Sequence, residues 1–93
     1  MIKSFRNDAA QAAWSRCFIK GVPGGIMKAA HRKLTQLHNA LSLDDLRAPP
    51  GNRLEALSAK RKGQHSIRIN DQWRICFRWQ DGDAHDVEIV DYH

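Results

Sequence analysis

The run Trp73-Arg74-Ile75-Cys76-Phe77-Arg78-Trp79 constrains this chain more than any other stretch, because large apolar residues alternate through it with cationic or small ones. Successive side chains of a strand point to opposite faces. A period of two therefore puts Trp73, Ile75, Phe77 and Trp79 on one face and Arg74, Cys76 and Arg78 on the other. Asn70-Asp71 before the run and Asp81-Gly82 after it are residues that tolerate the backbone of hairpin turns. Gln64 to His93 thus reads as three consecutive antiparallel strands with this run at the centre. One face of that sheet is greasy and the other cationic. The residues N-terminal to it are expected to cover the first and leave the second to an anionic ligand.

The N-terminal half supplies the cover. Ile2 to Phe5 alternates and suits an edge strand. Asn7 or Asp8 is a natural N-cap, and Ala10, Ala13, Trp14, Cys17 and Phe18 recur at helical spacing, so a first helix is expected to run to Gly21-Val22-Pro23 with Trp14 and Phe18 facing the core. Gly24-Gly25 opens a second helix whose apolar stripe is Ile26, Ala30, Leu34, Leu37 and Leu41. His31 and His38 share a face of it, but no carboxylate or cysteine joins them at ligand spacing, so they read as exposed or partner-facing and no metal is expected. Leu43 to Leu46 forms one further turn, and Ala48-Pro49-Pro50-Gly51-Asn52 breaks regular structure. Arg53 to Leu57 is a short strand, followed by a basic loop from Ser58 to Gly63. The expected fold is α+β: a single antiparallel-rich β-sheet covered on one face by an N-terminal two-helix hairpin. Ninety-three residues leave room for one domain, 1–93.

Several function classes drop out. No stretch approaches the roughly 20 apolar residues of a membrane span, and MIKSFRNDAAQ lacks the apolar core of a secretory signal, so a cytoplasmic protein with no membrane partner is expected. Cys17 and Cys76 match no metal or redox spacing and read as unpaired, buried or half-buried residues. Charge is distributed unevenly. Residues 1–52 carry eight Lys or Arg against three acids, residues 53–78 seven against two, and residues 79–93 five acids with no Lys or Arg. A basic stripe beside an acidic terminus suits a polyanion. Lys60, Arg61, Lys62, His65, Arg68 and Arg78 are the candidate polyanion-binding residues on this reading, with solubility or, for His65, simple packing as the plainer alternative.

Specific motifs carry the reading further. MIKSF at the start, Arg53-Leu54-Glu55-Ala56-Leu57 followed by G-x-x-S-I, the segment N-D-x-W-R-I-x-F, D-G-D-A, and the terminal Val90-Asp91-Tyr92-His93 together resemble the HigB group of the RelE/ParE toxin superfamily. P-P-G-N-R-L-E-A-L with G-Q-H-S-I is similar to its GraT-like branch. The resemblance spans nearly the whole chain. It implies the toxin of a type II toxin-antitoxin system, a ribosome-dependent mRNA endonuclease (an mRNA interferase), neutralised by a HigA-type helix-turn-helix antitoxin that links it indirectly to operator DNA. Many relatives have His-Pro-Leu-Lys-Gly where this chain has Glu55-Ala56-Leu57-Ser58-Ala59, so the family's active-site His and Lys are absent and Glu55 stands in place of that His. A related group of toxins pairs a Glu base with a C-terminal His acid.

Cutting RNA without a metal or other cofactor needs a base for the 2′-hydroxyl, an acid for the leaving 5′-oxygen, and cations for the charge gathering on phosphorus. Glu55, His93 and Arg74 have the right chemistry. Alternation puts Arg74 on the polar face, and a terminal strand holding Asp91 and His93 on a shared face is expected to bring His93 beside it. Asp91 is the next candidate base if Glu55 only orients an arginine. Tyr92 completes the catalytic candidates as a base-stacking or hydrogen-bonding group. The rival reading is a non-enzymatic toxin, either a ParE-like gyrase inhibitor or a subunit that acts only by binding antitoxin and operator DNA. The absent His and Lys are its argument.

Overall fold

A computed structural model describes residues 1–91, and the Tyr92 and His93 readings lie outside the described residues. Helix α1 spans Asp8–Trp14 and α2 spans Gly24–Asn39. They are followed by strands β1 (Glu55–Ala56), β2 (His65–Arg68), β3 (Trp73–Gln80) and β4 (Asp83–Asp91). The sheet order is β1-β2-β3-β4 and every pairing is antiparallel. Both helices pack on the Trp73–Ile75–Phe77 face, where Ala10, Met27, Leu34, Leu37, Ile67 and Val87 close a continuous core. Among the described residues no helix is long and apolar enough to cross a membrane.

The turns follow local chemistry. Asp81 (φ 55°) and Gly82 (φ 80°) are both left-handed, as a two-residue turn between twisted strands requires. Between β2 and β3 the work is done by a side chain instead, since Asn70 Oδ1 accepts from the amides of Gln72 (2.9 Å) and Trp73 (2.8 Å). Asn7 has two jobs. Its Oδ1 caps α1 at the Ala10 amide (3.1 Å), while its Nδ2 donates to the Ile89 carbonyl (2.8 Å), so the helix start is tied to β4.

β4 contains a bulge. Arg78 faces His85 and Cys76 faces Glu88, so Phe77 alone spans Asp86 and Val87. Asp86 is the extra residue, with φ 52°. The bulge shifts the phase of alternation, so that Ala84 lies in the core before it and Val87 and Ile89 after it.

Four expectations about the N-terminal half change. Ile2 to Phe5 adds to the sheet beside β4, but only through two isolated parallel bridges, Ile2 with Ala84 and Phe5 with Val87. Helix α1 stops at Trp14, well short of Gly21. The Cys17 amide bonds the Ala12 carbonyl (2.8 Å) and the Arg16 amide bonds that of Ala13 (3.2 Å), which is the paired closure that ends many helices, here with Arg16 at φ 59° where glycine is usual. Helical spacing no longer holds beyond that point, so Phe18 is 66% exposed instead of facing the core, and Cys17 is exposed too. Leu41 lies past the end of α2 and is also exposed. His31 and His38 are half-buried and engaged within the fold. Trp14 stacks on His31 and tilts over His38, while His31 Nδ1 donates to the Ala13 carbonyl (2.9 Å) and His38 Nδ1 accepts from the Ile2 amide (3.1 Å). The two imidazoles tie α2 to α1 and to the N-terminal segment.

Candidate active site on the polar sheet face

Cross-strand partners share a face, so the registers assemble the site directly. Glu55 pairs with Ser66, Ser66 with Cys76, and Cys76 with Glu88, which makes one row across all four strands. Arg68, Arg74 and Val90 form the next row. This face is not the open arginine surface expected from alternation. Ser66 and Cys76 are wholly buried and Glu88 nearly so, because the loop after β1 folds back over the centre. A one-turn 3-10 helix at Ala59–Arg61 carries that loop, and Gly63 (φ 91°) returns it to β2. A side chain at position 63 would meet the Arg78 guanidinium at 3.0 Å.

Each arginine of this face is held by an acid. Arg74 Nη1 lies 3.1 Å from Glu55 Oε1, and its Nη2 donates to the Arg53 carbonyl (2.8 Å). The Arg74 side chain is only 13% exposed, whereas the Glu55 carboxylate is 47% exposed. Arg61 reaches Glu88 (2.8 Å) and donates to Gln64 Oε1 (3.1 Å). Arg78 lies 3.6 Å from Asp86, and Arg68 pairs with Asp71. The Arg68 hydrogen bond and charge hold the Asp71 carboxyl below its ordinary range. Burial raises the Cys76 thiol, with Glu88 and Glu55 adding to the effect and Arg61 and Arg74 opposing it, so the thiol is neutral at physiological pH. Oriented guanidinium groups can grip a phosphodiester while the solvent-facing carboxylate beside them accepts a proton from an attacking hydroxyl.

The structure brings together Glu55, Arg74, Arg61, Arg68 and Arg78. Lys60 and Lys62 flank Arg61 on the covering turn and are exposed. Asp91 and His65 do not join them. Asp91 stands opposite Trp73, so the face it shares is that of the core and not that of Arg74, and its Oδ2 accepts from Gln72 Nε2 (3.2 Å). The residue across from Arg74 is Val90. His65 pairs with Phe77 and stacks on its ring at 6.2 Å, on the core side of the sheet edge. The strand expected over Arg53 to Leu57 is reduced to Glu55–Ala56.

Three contributors were not among the expected residues. Glu88 receives both Arg61 and Arg6 (3.2 Å) while 8% exposed. A single acid between Val87 and Ile89 was the available signal, since strand alternation turns it away from the core. Arg53 holds its carbonyl toward Arg74 in a left-handed conformation (φ 45°) that no pattern in the sequence announces. Asn52, wholly buried, donates from Nδ2 to the carbonyls of Leu46 (3.1 Å) and Ala48 (3.3 Å) and accepts from Lys33 Nζ. It anchors the loop that delivers Glu55.

The chain is similar to several known proteins. A family model described as the RelE-like toxin of type II toxin-antitoxin system HigB matches residues 3–93. The protein Toxin HigB-1 of Vibrio cholerae is 49% identical over 63 residues, which are 68% of this chain and 66% of that protein. Endoribonuclease HigB of Proteus vulgaris is 29% identical over 93 residues, the full length of both. The crystal structure of YafQ from E. coli superposes with a TM-score of 0.63 at 16% identity, covering 98% of this chain and 91% of that one, a likeness of fold.

Proposed function

The chain belongs to the RelE-like HigB toxins of type II toxin-antitoxin systems, and from that premise we propose that it is an endoribonuclease that inhibits translation by cutting messenger RNA on the ribosome without a metal. The observation that carries this reading is the Glu55–Arg74 pair, 3.1 Å apart, with the guanidinium further fixed on the Arg53 carbonyl. Glu55 takes the proton of the 2′-hydroxyl as that oxygen attacks phosphorus. Arg74 balances the extra negative charge on the phosphoryl oxygens. The P–O5′ bond breaks, the 5′-oxygen leaves with a proton from His93 in the role the resemblance gives it, and the products are a 2′,3′-cyclic phosphate and a 5′-hydroxyl. Arg68 and Arg78, with Lys60 to Lys62 on the covering turn, position neighbouring phosphates. The Glu55 carboxylate is about half exposed, so the ribosome is the second wall that holds the message in line.

As the toxin of such a system the protein has an antitoxin partner. We assign it a HigA-type helix-turn-helix protein, through which the pair reaches operator DNA. The test is single-turnover cleavage of a message on programmed ribosomes and as free RNA, with a gyrase supercoiling assay alongside. Cleavage on ribosomes with little or none on free RNA is expected. Inhibition of supercoiling with no cleavage would place the chain with gyrase-directed binding toxins instead.

A further inference from the structure

On the other side of the molecule, a cleft of about 420 Å³ opens between the end of α1 and the first turns of α2. Its floor is apolar, with Ala13, Met27 and Phe18, and its rim carries Arg16, Lys28 and Arg32. Two features set it apart from ordinary surface. First, Phe18 is 66% exposed, and it is held out by the left-handed Arg16 that ends α1, a conformation costing about 1–2 kcal/mol at a residue other than glycine. Its ring lies so close to Gly24 that a Cβ there would stand 3.3 Å from Cε1. Strained backbone thus presents a large apolar side chain to solvent. Second, none of the three rim cations has an acidic partner among the described residues, and no acid lines the cleft.

We propose that this cleft is a docking site for an acidic peptide segment bearing a bulky apolar side chain, supplied by the antitoxin; the assignment of that partner rests on the functional reading above. The apolar side chain seats against Phe18, Met27 and Ala13, and carboxylates to either side meet Arg16, Lys28 and Arg32. Charge complementarity favours this occupant. A second copy of the toxin docked about a two-fold axis would bring the same three cations into a like-charged contact. A nucleic acid would leave the apolar floor without a partner, because its phosphates engage only the rim. The cleft also lies across the molecule from the polar sheet face, so a segment seated here leaves the Glu55–Arg74 pair uncovered and contributes affinity independently of any block of the active site.

The two cysteines make the test site-specific, since Cys17 lines the cleft and is exposed while Cys76 is buried. Alkylation of Cys17 by iodoacetamide, followed by mass spectrometry, is expected to slow at least about tenfold when the toxin is saturated with the antitoxin of its own module. Phe18→Asp is expected to weaken antitoxin binding by about 10- to 100-fold, Phe18→Leu to retain most of it, and Arg16→Glu/Lys28→Glu/Arg32→Glu to cut the association rate at low salt by about tenfold or more. Ribosomal cleavage by all of these variants is expected to match wild type. Unchanged Cys17 alkylation in the complex, or unchanged antitoxin affinity of Phe18→Asp, overturns the cleft while leaving the nuclease reading intact. A rim variant that keeps the antitoxin but loses ribosome binding, or changes self-association in sedimentation, also overturns it. Failure of wild type to cleave on ribosomes is the separate result that sinks the functional reading.

Discussion

The polar sheet face and the helix cleft are both cationic, but they hold their charge in opposite ways. On the sheet each arginine is fixed by an acid: Arg74 by Glu55, Arg61 by Glu88, Arg78 by Asp86 and Arg68 by Asp71. Around the cleft Arg16, Lys28 and Arg32 project without acidic partners among the described residues. The difference separates two uses of positive charge. A paired, half-buried guanidinium has lost its rotational freedom before a phosphate arrives, which suits transition-state stabilisation. An unpaired exposed cation keeps its field and suits attraction of a partner. Net charge conceals this distinction.

The comparison is tested most severely at Glu55 and Arg74. Arg74→Ala is expected to slow single-turnover cleavage on ribosomes by roughly 10² to 10³, equal to about 3–4 kcal/mol. Glu55→Gln keeps an acceptor for Arg74 but cannot take a proton, and cleavage is expected to fall by roughly 10² to 10⁴. A Gln variant within a factor of two or three of wild type would make Glu55 an orienting partner only.

Next in size is the buried carboxylate. Glu88→Ala leaves Arg61 and Arg6 without their shared acid and is expected to destabilise the fold by about 2–3 kcal/mol, somewhat less than for a fully buried pair because both cations retain some solvent. Urea unfolding measures this. Asn52→Ala strands the Leu46 and Ala48 carbonyls and is expected to cost about 1–3 kcal/mol while also lowering cleavage, since the loop before Glu55 loosens.

Lys33 feels both regions. Burial lowers its pKa below the ordinary 10.5, and Arg32 at the cleft and Arg68 on the sheet lower it further. Between the lowered value and 10.5 the unfolded chain binds more protons than the native one, so stability rises with pH across that window. Lys33→Met is expected to flatten the rise, and Arg32→Ala to reduce it, in urea midpoints collected through the window. The smallest effects belong to the cleft. Lys28→Ala and Arg32→Ala are each expected to change stability near neutral pH by no more than about 0.5 kcal/mol. A loss above 1 kcal/mol would mean these cations are structurally engaged, and the contrast between the two faces would fail.

Much of the architecture was legible because it rests on local rules. Alternation through Trp73 to Trp79 identified the central strand and its two faces, Asp81-Gly82 identified its turn, and Asn7 identified the start of α1. Parity along β3 put Arg74 on the polar face in the same way, whereas the face taken by Glu55 was not readable, because the alternation of Leu54 and Ala56 with Glu55 and Leu57 leaves the inward side of that short strand open and only the register with Ser66 and Cys76 decides it. The end of α1 was not readable. Arg16 closes the helix in a conformation usually left to glycine, and the glycine that stands in the sequence, Gly21, comes five residues later.

The sequence by itself determined the class of fold, the greasy and polar faces of β3 and the chemistry available to the site, because side-chain period and residue type are properties of the chain. Which groups meet was decided only in three dimensions. The bulge at Asp86 sets the phase of β4, and with it the placing of Glu88 in the Glu55–Ser66–Cys76 row and of Asp91 opposite Trp73. Folding of residues 58–63 over the sheet turned an expected open arginine face into a covered, ion-paired one. Residues such as Glu55 and Arg74, or Arg6, Arg61 and Glu88, stand far apart along the chain. Their pairing depends on strand register and on competition among carboxylates for a few guanidinium groups, and neither is a function of local sequence.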